Sequence, residues 1–179
     1  FDILYNSVII KMSGLEIERK FLVHKRGGEY KKKAYSSSRI KQGYICSEHG
    51  CTVRVRIRDD KGFLTIKGPS SHGGMTRYEF EKEITLDEAE HLMQLCEPGI
   101  IDKTRYLVKS GNHVFEIDEF YGDNEGLVMA EVELGRENES YDKPDFIAEE
   151  VTGDRRFYNS YLRRMPFSEW KNELPEEYR

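Results

Sequence analysis

Cysteine is scarce in this sequence: Cys46, Cys51 and Cys96 are the three present. So few, and an odd number, do not make the disulfide framework of a small secreted domain, so a reducing cytoplasm is the expected compartment. Cys46 and Cys51 bracket the turn-like Ser47-Glu48-His49-Gly50. A cross-hairpin disulfide or a Cys/His metal site there is disfavoured, because no second ligand cluster lies nearby.

Long apolar runs are missing too. None approaches the roughly 20 residues that cross a bilayer as a helix, which argues against membrane residence. Val8-Ile9-Ile10 lacks a basic leader before it and a small-residue cleavage site after it, so residues 1–12 read as an extension and Met12 as the natural start. There is no basic excess: 28 Lys and Arg stand against 33 Asp and Glu, a net charge of -5. That balance argues against a nucleic-acid partner. Lys31-Lys32-Lys33 beside Ser36-Ser37-Ser38 reads as a solvated connection. The glycines from Gly68 to Gly74 lack Walker spacing and its Lys-Ser/Thr ending, and read as a flexible hairpin link. His24, His49, His72, His91 and His113 are scattered, and no nucleophile triad is visible.

What the chain does have is charge. Asp, Glu, Lys and Arg make up 34% of it, against about 25% in an average soluble protein. With 37% hydrophobic and 12% aromatic residues it can still bury a core, so disorder is excluded over most of the length and a single domain is expected. That domain is placed at 13–165, followed by a polar tail, 166–179, which Trp170 anchors.

Alternation of apolar and polar residues dominates, and it is the signal of strands. The expected strands are 15–23, 39–46, 52–58, 63–67, 77–84, 101–109, 113–120 and 127–134. Asp59-Asp60-Lys61-Gly62 and Ser110-Gly111-Asn112 supply hairpin turns. Thr85 and Glu88 form a capping box that opens a helix over 86–95, ended by Pro98-Gly99; a second helix is expected near 154–162. Sequential strands with short links and few helices point to an antiparallel meander of the α+β class.

The polar faces of these strands sort by sign. Glu16 with Glu18, Glu79 with Glu81 and Glu83, Glu116 with Asp118, and Glu131 with Glu133 share faces; so do Arg54, Arg56 and Arg58, and Lys103 with Arg105. Residues two apart on a strand project to one side about 7 Å apart, where like charges repel. Solvation and cross-strand pairs explain any one strand, but sorting across all of them suggests ligands. Carboxylate rows suit a hard divalent cation, and rows of Lys and Arg suit a polyanion such as phosphate.

Glu16-Ile17-Glu18-Arg19-Lys20 is a Glu-x-Glu-x-Lys motif on the first strand, and with it the chain resembles the CYTH superfamily, the triphosphate tunnel metalloenzymes. Gln42-Gly43-Tyr44, Thr52 to Arg56, Leu64 to Gly68, Lys103 to Tyr106, Asp118-Glu119-Phe120, Ala130 to Leu134 and Arg155 to Asn159 follow in the order of short bacterial members. The resemblance implies an eight-stranded antiparallel β-barrel with flanking helices, enclosing a hydrophilic tunnel that takes a triphosphate with Mg²⁺ or Mn²⁺. It implies Glu16, Glu18, Glu131 and Glu133 as metal ligands, with Asp118 a further one. Lys20, Arg54, Arg56, Lys67 and Arg105 would grip the phosphates, with Lys41, Arg77 and Lys103 extending that set, and Lys20, Lys41 and Arg56 are the expected catalytic residues. Hydrolysis of inorganic triphosphate is the expected reaction. Adenylate cyclisation, hydrolysis of thiamine or nucleoside triphosphates, and a non-enzymatic polyphosphate-binding module are the alternatives. A homodimer is compatible with the sequence.

Overall fold

Thr52 to Arg58 shows how this chain builds a sheet: Val53, Val55 and Ile57 alternate with Arg54, Arg56 and Arg58, and the segment forms a strand, Cys51–Arg58. The computed structural model describes residues 15–48, 50–69 and 76–179; the side chains of 15, 16, 48 and 76 lie outside that description. The expected extension 1–12, His49, His72, most of the 68–74 link and the side chain of Glu16 therefore fall outside the described residues.

The strands are β1 (Leu15–Val23), β2 (Ser36–Glu48), β3 (Cys51–Arg58), β4 (Lys61–Lys67), β5 (Thr76–Ile84), β6 (Ile101–Ser110), β7 (His113–Phe120), β8 (Val128–Glu133) and β9 (Ile147–Glu150). The helices are α1 (Glu29–Lys33), α2 (Leu86–Met93), α3 (Asn159–Leu162) and α4 (Phe167–Trp170), joined by short 3-10 turns such as Arg155–Phe157. Among the described residues the strands form a single antiparallel sheet in the order β5-β4-β3-β2-β6-β7-β8-β1-β9. β1 also pairs with β5, through Leu15↔Tyr78, Glu16↔Arg77 and Ile17↔Thr76. One edge of β1 is thus taken by β8 and the other is shared between β5 at its start and β9 at its end.

The expected meander holds as two runs of hairpins, β2 to β5 and β6 to β8, joined where β2 pairs with β6. The chain reaches β6 from β5 through α2, and β1 sits beside β8, far away in sequence. The sheet has nine strands where eight were expected. β9 is only four residues long, with Ile147 and Ala148 buried and Glu149 and Glu150 exposed, so no alternation marks it.

Local chemistry fixes the rest. Asp59 turns the β3–β4 hairpin with φ 53, a left-handed conformation that Asp tolerates. The capping box forms as expected: the Glu88 amide donates to Thr85 Oγ1 at 3.2 Å and the Thr85 amide to Glu88 Oε2 at 2.8 Å. α2 lies so close on β4 that a Cβ at Gly62 would stand 2.6 Å from that of Ala89. The expected second helix is a 3-10 turn followed by the single turn of α3.

Two apolar clusters follow from strand alternation. Phe21 and Val23 join Phe115, Ile117, Ala130 and Val132 on the outer face, covered by Tyr30 of α1 and by Phe146. Leu22, between them, points the other way with Met129, Phe120 and Ile101. These inward residues pack against Phe157, Leu162, Phe167 and Trp170. The segment 166–179 is therefore built into the fold: Trp170 stacks edge-on against Phe157 and Phe167.

Candidate active site on the charged inner face

Residues directly opposite on paired strands share a face, so the register assembles the inner face row by row. Tyr44, Arg54, Thr65 and Glu81 form one row. Glu116, Glu131 and Lys20 form another. Arg105 pairs with Asp118, Lys67 with Glu79 and Glu18 with Glu133, while Arg77 shares the parity of Glu79 on β5. Cations from β3, β4, β5 and β6 and carboxylates from β1, β5, β7 and β8 thus line one surface.

The side chains interlock. Lys20 Nζ contacts Glu131 and lies 3.0 Å from Glu18, whose carboxylate also meets Arg77 at 3.7 Å. Arg105 grips Asp118 through two bonds of 2.7 Å, donates to Glu116 and approaches Glu131 at 3.5 Å. Lys103 Nζ donates to Asp118 at 2.5 Å. Glu81 accepts from Arg56 at 2.8 Å, from Thr65 at 2.9 Å and from Arg54 at 3.4 Å. Lys67 meets Glu79 at 2.6 Å. Lys20, Arg56, Lys67, Lys103 and Asp118 are all buried.

Lys41 stands apart. Its neighbours Ile40 and Gln42 are buried while Lys41 is exposed, because the pleat turns alternate residues to opposite faces. The family resemblance drew it into the expected set, but its position in the alternation puts it on the outer surface. Thr65 and Asn159 were missed. Thr65 shares the parity of Lys67 on β4, and that signal could have found it; Asn159 lies in a helical turn, where strand parity is silent.

Among the described residues, Nε of Arg54 and of Arg56 is buried without a hydrogen-bond partner. Unsatisfied buried donors are rare and need an explanation; two adjacent guanidinium N–H groups suit an oxyanion. The CYTH domain family matches residues 14–158, spanning all of these rows. The chain belongs to the CYTH family.

The CYTH chain is 46% identical to an inorganic triphosphatase of Acetivibrio thermocellus, over 88% of its own length and 99% of the relative's. It is 33% identical to an inorganic triphosphatase of Nitrosomonas europaea, over 82% and 95%. A crystal structure of an inorganic triphosphatase superposes with a TM-score of 0.58 at 30% identity, covering 83% of this chain and 93% of that one.

Electrostatics in the CYTH interior follow from burial and partners. Burial pulls Lys20 down, but Glu131 and Glu18 outweigh it and hold the ammonium above the ordinary lysine value. Burial raises Glu131 and Asp118, yet Lys20 and Arg105 hold the first well below the usual carboxylate range, and Arg105 and Lys103 lower the second. Lys103 is pushed down to about 8 by burial and by the like charge of Arg105, against the pull of Asp118. Arg56 falls to about 10 through burial and the neighbouring Arg54, and remains charged at neutral pH.

The CYTH triphosphate tunnel enzymes are metal-dependent. Among the described residues no three His, Cys, Asp or Glu side chains are gathered as a metal cluster. The donor chemistry nevertheless fits a hard divalent cation: Glu18 faces Glu133, and Glu116 faces Glu131, as like-charged pairs on adjacent strands. Such pairs are destabilising unless a cation is shared, a role that Lys20 fills in part for Glu18 and Glu131 and Arg105 for Glu116 and Glu131. The oxygens of these pairs belong to Glu18, Glu133, Glu116 and Glu131.

Proposed function

We propose that this chain hydrolyses inorganic triphosphate to diphosphate and phosphate with Mg²⁺ or Mn²⁺. The observation that carries the reading is the meeting of opposed cation and carboxylate rows on one buried face, with two arginine N–H groups lacking partners. The identities to two inorganic triphosphatases support the choice of substrate.

The β1–β5 pairing supports a sheet that works as a closed barrel of β1 to β8, with β9 added outside. Its charged space is lined by Lys20, Arg54, Arg56, Lys67, Arg77, Lys103 and Arg105. Arg54 and Arg56, braced by Glu81, would turn their free N–H groups to phosphate oxygens. Lys20 and Arg105, now held by carboxylates, would exchange part of that contact for the substrate. Concentrated, fixed positive charge stabilises the charge that develops on transferred and leaving phosphates. The divalent cation, held by Glu18, Glu131 and Glu133 with Asp118, would neutralise phosphate oxygens and lower the pKa of the attacking water. Burial keeps Lys20, Arg56, Lys67, Lys103 and Asp118 in a low-dielectric setting, where each interaction is stronger than in water.

Turnover of inorganic triphosphate, ATP and thiamine triphosphate, each with Mg²⁺ and with Mn²⁺, tests the reading. Inorganic triphosphate should give the highest kcat/KM; cyclic AMP from ATP, or preference for a nucleotide, would overturn it.

A further inference from the structure

Two consecutive residues, Tyr158 and Asn159, reach the charged interior although neither belongs to the sheet. They follow the 3-10 turn Arg155–Phe157 and open α3. Phe157 and Leu162, on either side, are fully buried in the apolar cluster that fills one end of the interior. The preceding segment is tied to β1 at Lys20 itself: the Val151 amide donates to the Lys20 carbonyl at 2.8 Å, and the Lys20 amide to Thr152 Oγ1 at 3.0 Å. From this anchored place the Tyr158 ring centroid lies 5.6 Å from Lys20 Nζ. Asn159 Oδ1 lies 3.5 Å from Lys103 Nζ.

We infer that Tyr158 and Asn159 are positioning residues which aim the Lys20 and Lys103 ammonium groups at the inner end of a bound triphosphate. The inference rests on the triphosphatase reading above. An ammonium is a compact charge with three donors on a flexible stem, so its direction must be imposed by neighbours. Lys20 spends donors on Glu131 and Glu18. The Tyr158 ring confines it from a further side by cation–π attraction without accepting a strong hydrogen bond. Lys103 gives one donor to Asp118 and one, at long range, to Asn159. Each lysine then keeps a donor for phosphate. An aromatic face and an amide oxygen do this without adding negative charge, which would repel the substrate.

The test measures kcat and KM for inorganic triphosphate with Mg²⁺, beside the thermal midpoint, in Tyr158→Phe, Tyr158→Leu, Asn159→Ala and Asn159→Asp. Tyr158→Phe keeps the ring and should stay within about two-fold of the parent. Tyr158→Leu and Asn159→Ala should lower kcat/KM roughly three- to thirty-fold, chiefly through KM, with the midpoint within a few degrees. Asn159→Asp should lose more than Asn159→Ala. Unchanged kcat/KM in both Tyr158→Leu and Asn159→Ala would overturn the inference, as would an equal loss in Tyr158→Phe and Tyr158→Leu. If Tyr158→Leu does not fold, the Asn159 pair decides. A parent chain with no turnover would fault the triphosphatase reading, and calorimetric binding of inorganic triphosphate would then carry the same comparison.

Discussion

Glu18 on β1 and Glu133 on β8 stand directly opposite each other across an antiparallel ladder. Two carboxylates so placed repel in the absence of a cation. Replacing either by Gln should remove the repulsion and the metal together. Glu18→Gln and Glu133→Gln should each lower turnover by at least about a hundred-fold, and Glu18→Gln should also lower the thermal midpoint in metal-free buffer, because Glu18 partners the buried Lys20. The checking measurement is the midpoint with and without Mg²⁺: the parent should gain stability from the ion by mass action, and the variants should not.

Arg56 carries a buried N–H with no partner and leans on Glu81. Arg56→Ala should raise KM for inorganic triphosphate by roughly ten- to a hundred-fold, the weight of one or two hydrogen bonds to a charged group. The gap between parent and variant should narrow as salt rises, because screening weakens the attraction the parent enjoys. A salt series of KM checks both.

Lys41 lies on the outer surface. Lys41→Ala should leave kcat and KM within about two-fold of the parent and stability within about 0.5 kcal/mol. Steady-state kinetics and urea denaturation check this, and they separate Lys41 from the buried lysines on the inner face.

Acid should weaken the metal-free protein through Glu131 and Asp118, both held below their ordinary values by Lys20, Arg105 and Lys103. A carboxylate whose pKa is depressed by folding binds protons more readily in the unfolded chain. Its stabilisation is thus complete above the unfolded value, 4.5 for Glu131 and 3.8 for Asp118, and is lost as pH falls through that value toward the folded one. The urea midpoint should drop steadily from pH 5 to pH 3, and Glu131→Gln should flatten that slope.

Much of this site was legible from strand parity. On β1, β3, β6, β7 and β8 one face is apolar and the other carries charge of largely one sign, so Lys20, Arg54, Arg56, Lys103, Arg105, Asp118 and Glu131 fall together once the strands pair. β2 defeated the same reasoning. Arg39 and Lys41 share one face, Ile40 and Gln42 the other, and the charged face is the outer one. The family resemblance favoured Lys41, whereas burial favours Gln42, whose amide donates to Tyr44 at 3.0 Å. The C-terminal segment was illegible for another reason: Phe167, Trp170, Leu174 and Tyr178 are spaced among charges, and only the apolar end of the interior, with Leu22, Phe120 and Met129, gives them something to cover. The β1–β5 and β2–β6 pairings join strands distant in sequence, and local pattern carries no information about them.

The most direct test of the central claim is phosphorus NMR of inorganic triphosphate incubated with the purified chain and Mg²⁺. Loss of the middle-phosphorus resonance, with diphosphate and phosphate appearing in equal amounts, is the expected result. Triphosphate left intact by the parent chain, at a concentration where the Glu18→Gln variant behaves identically, would contradict the account.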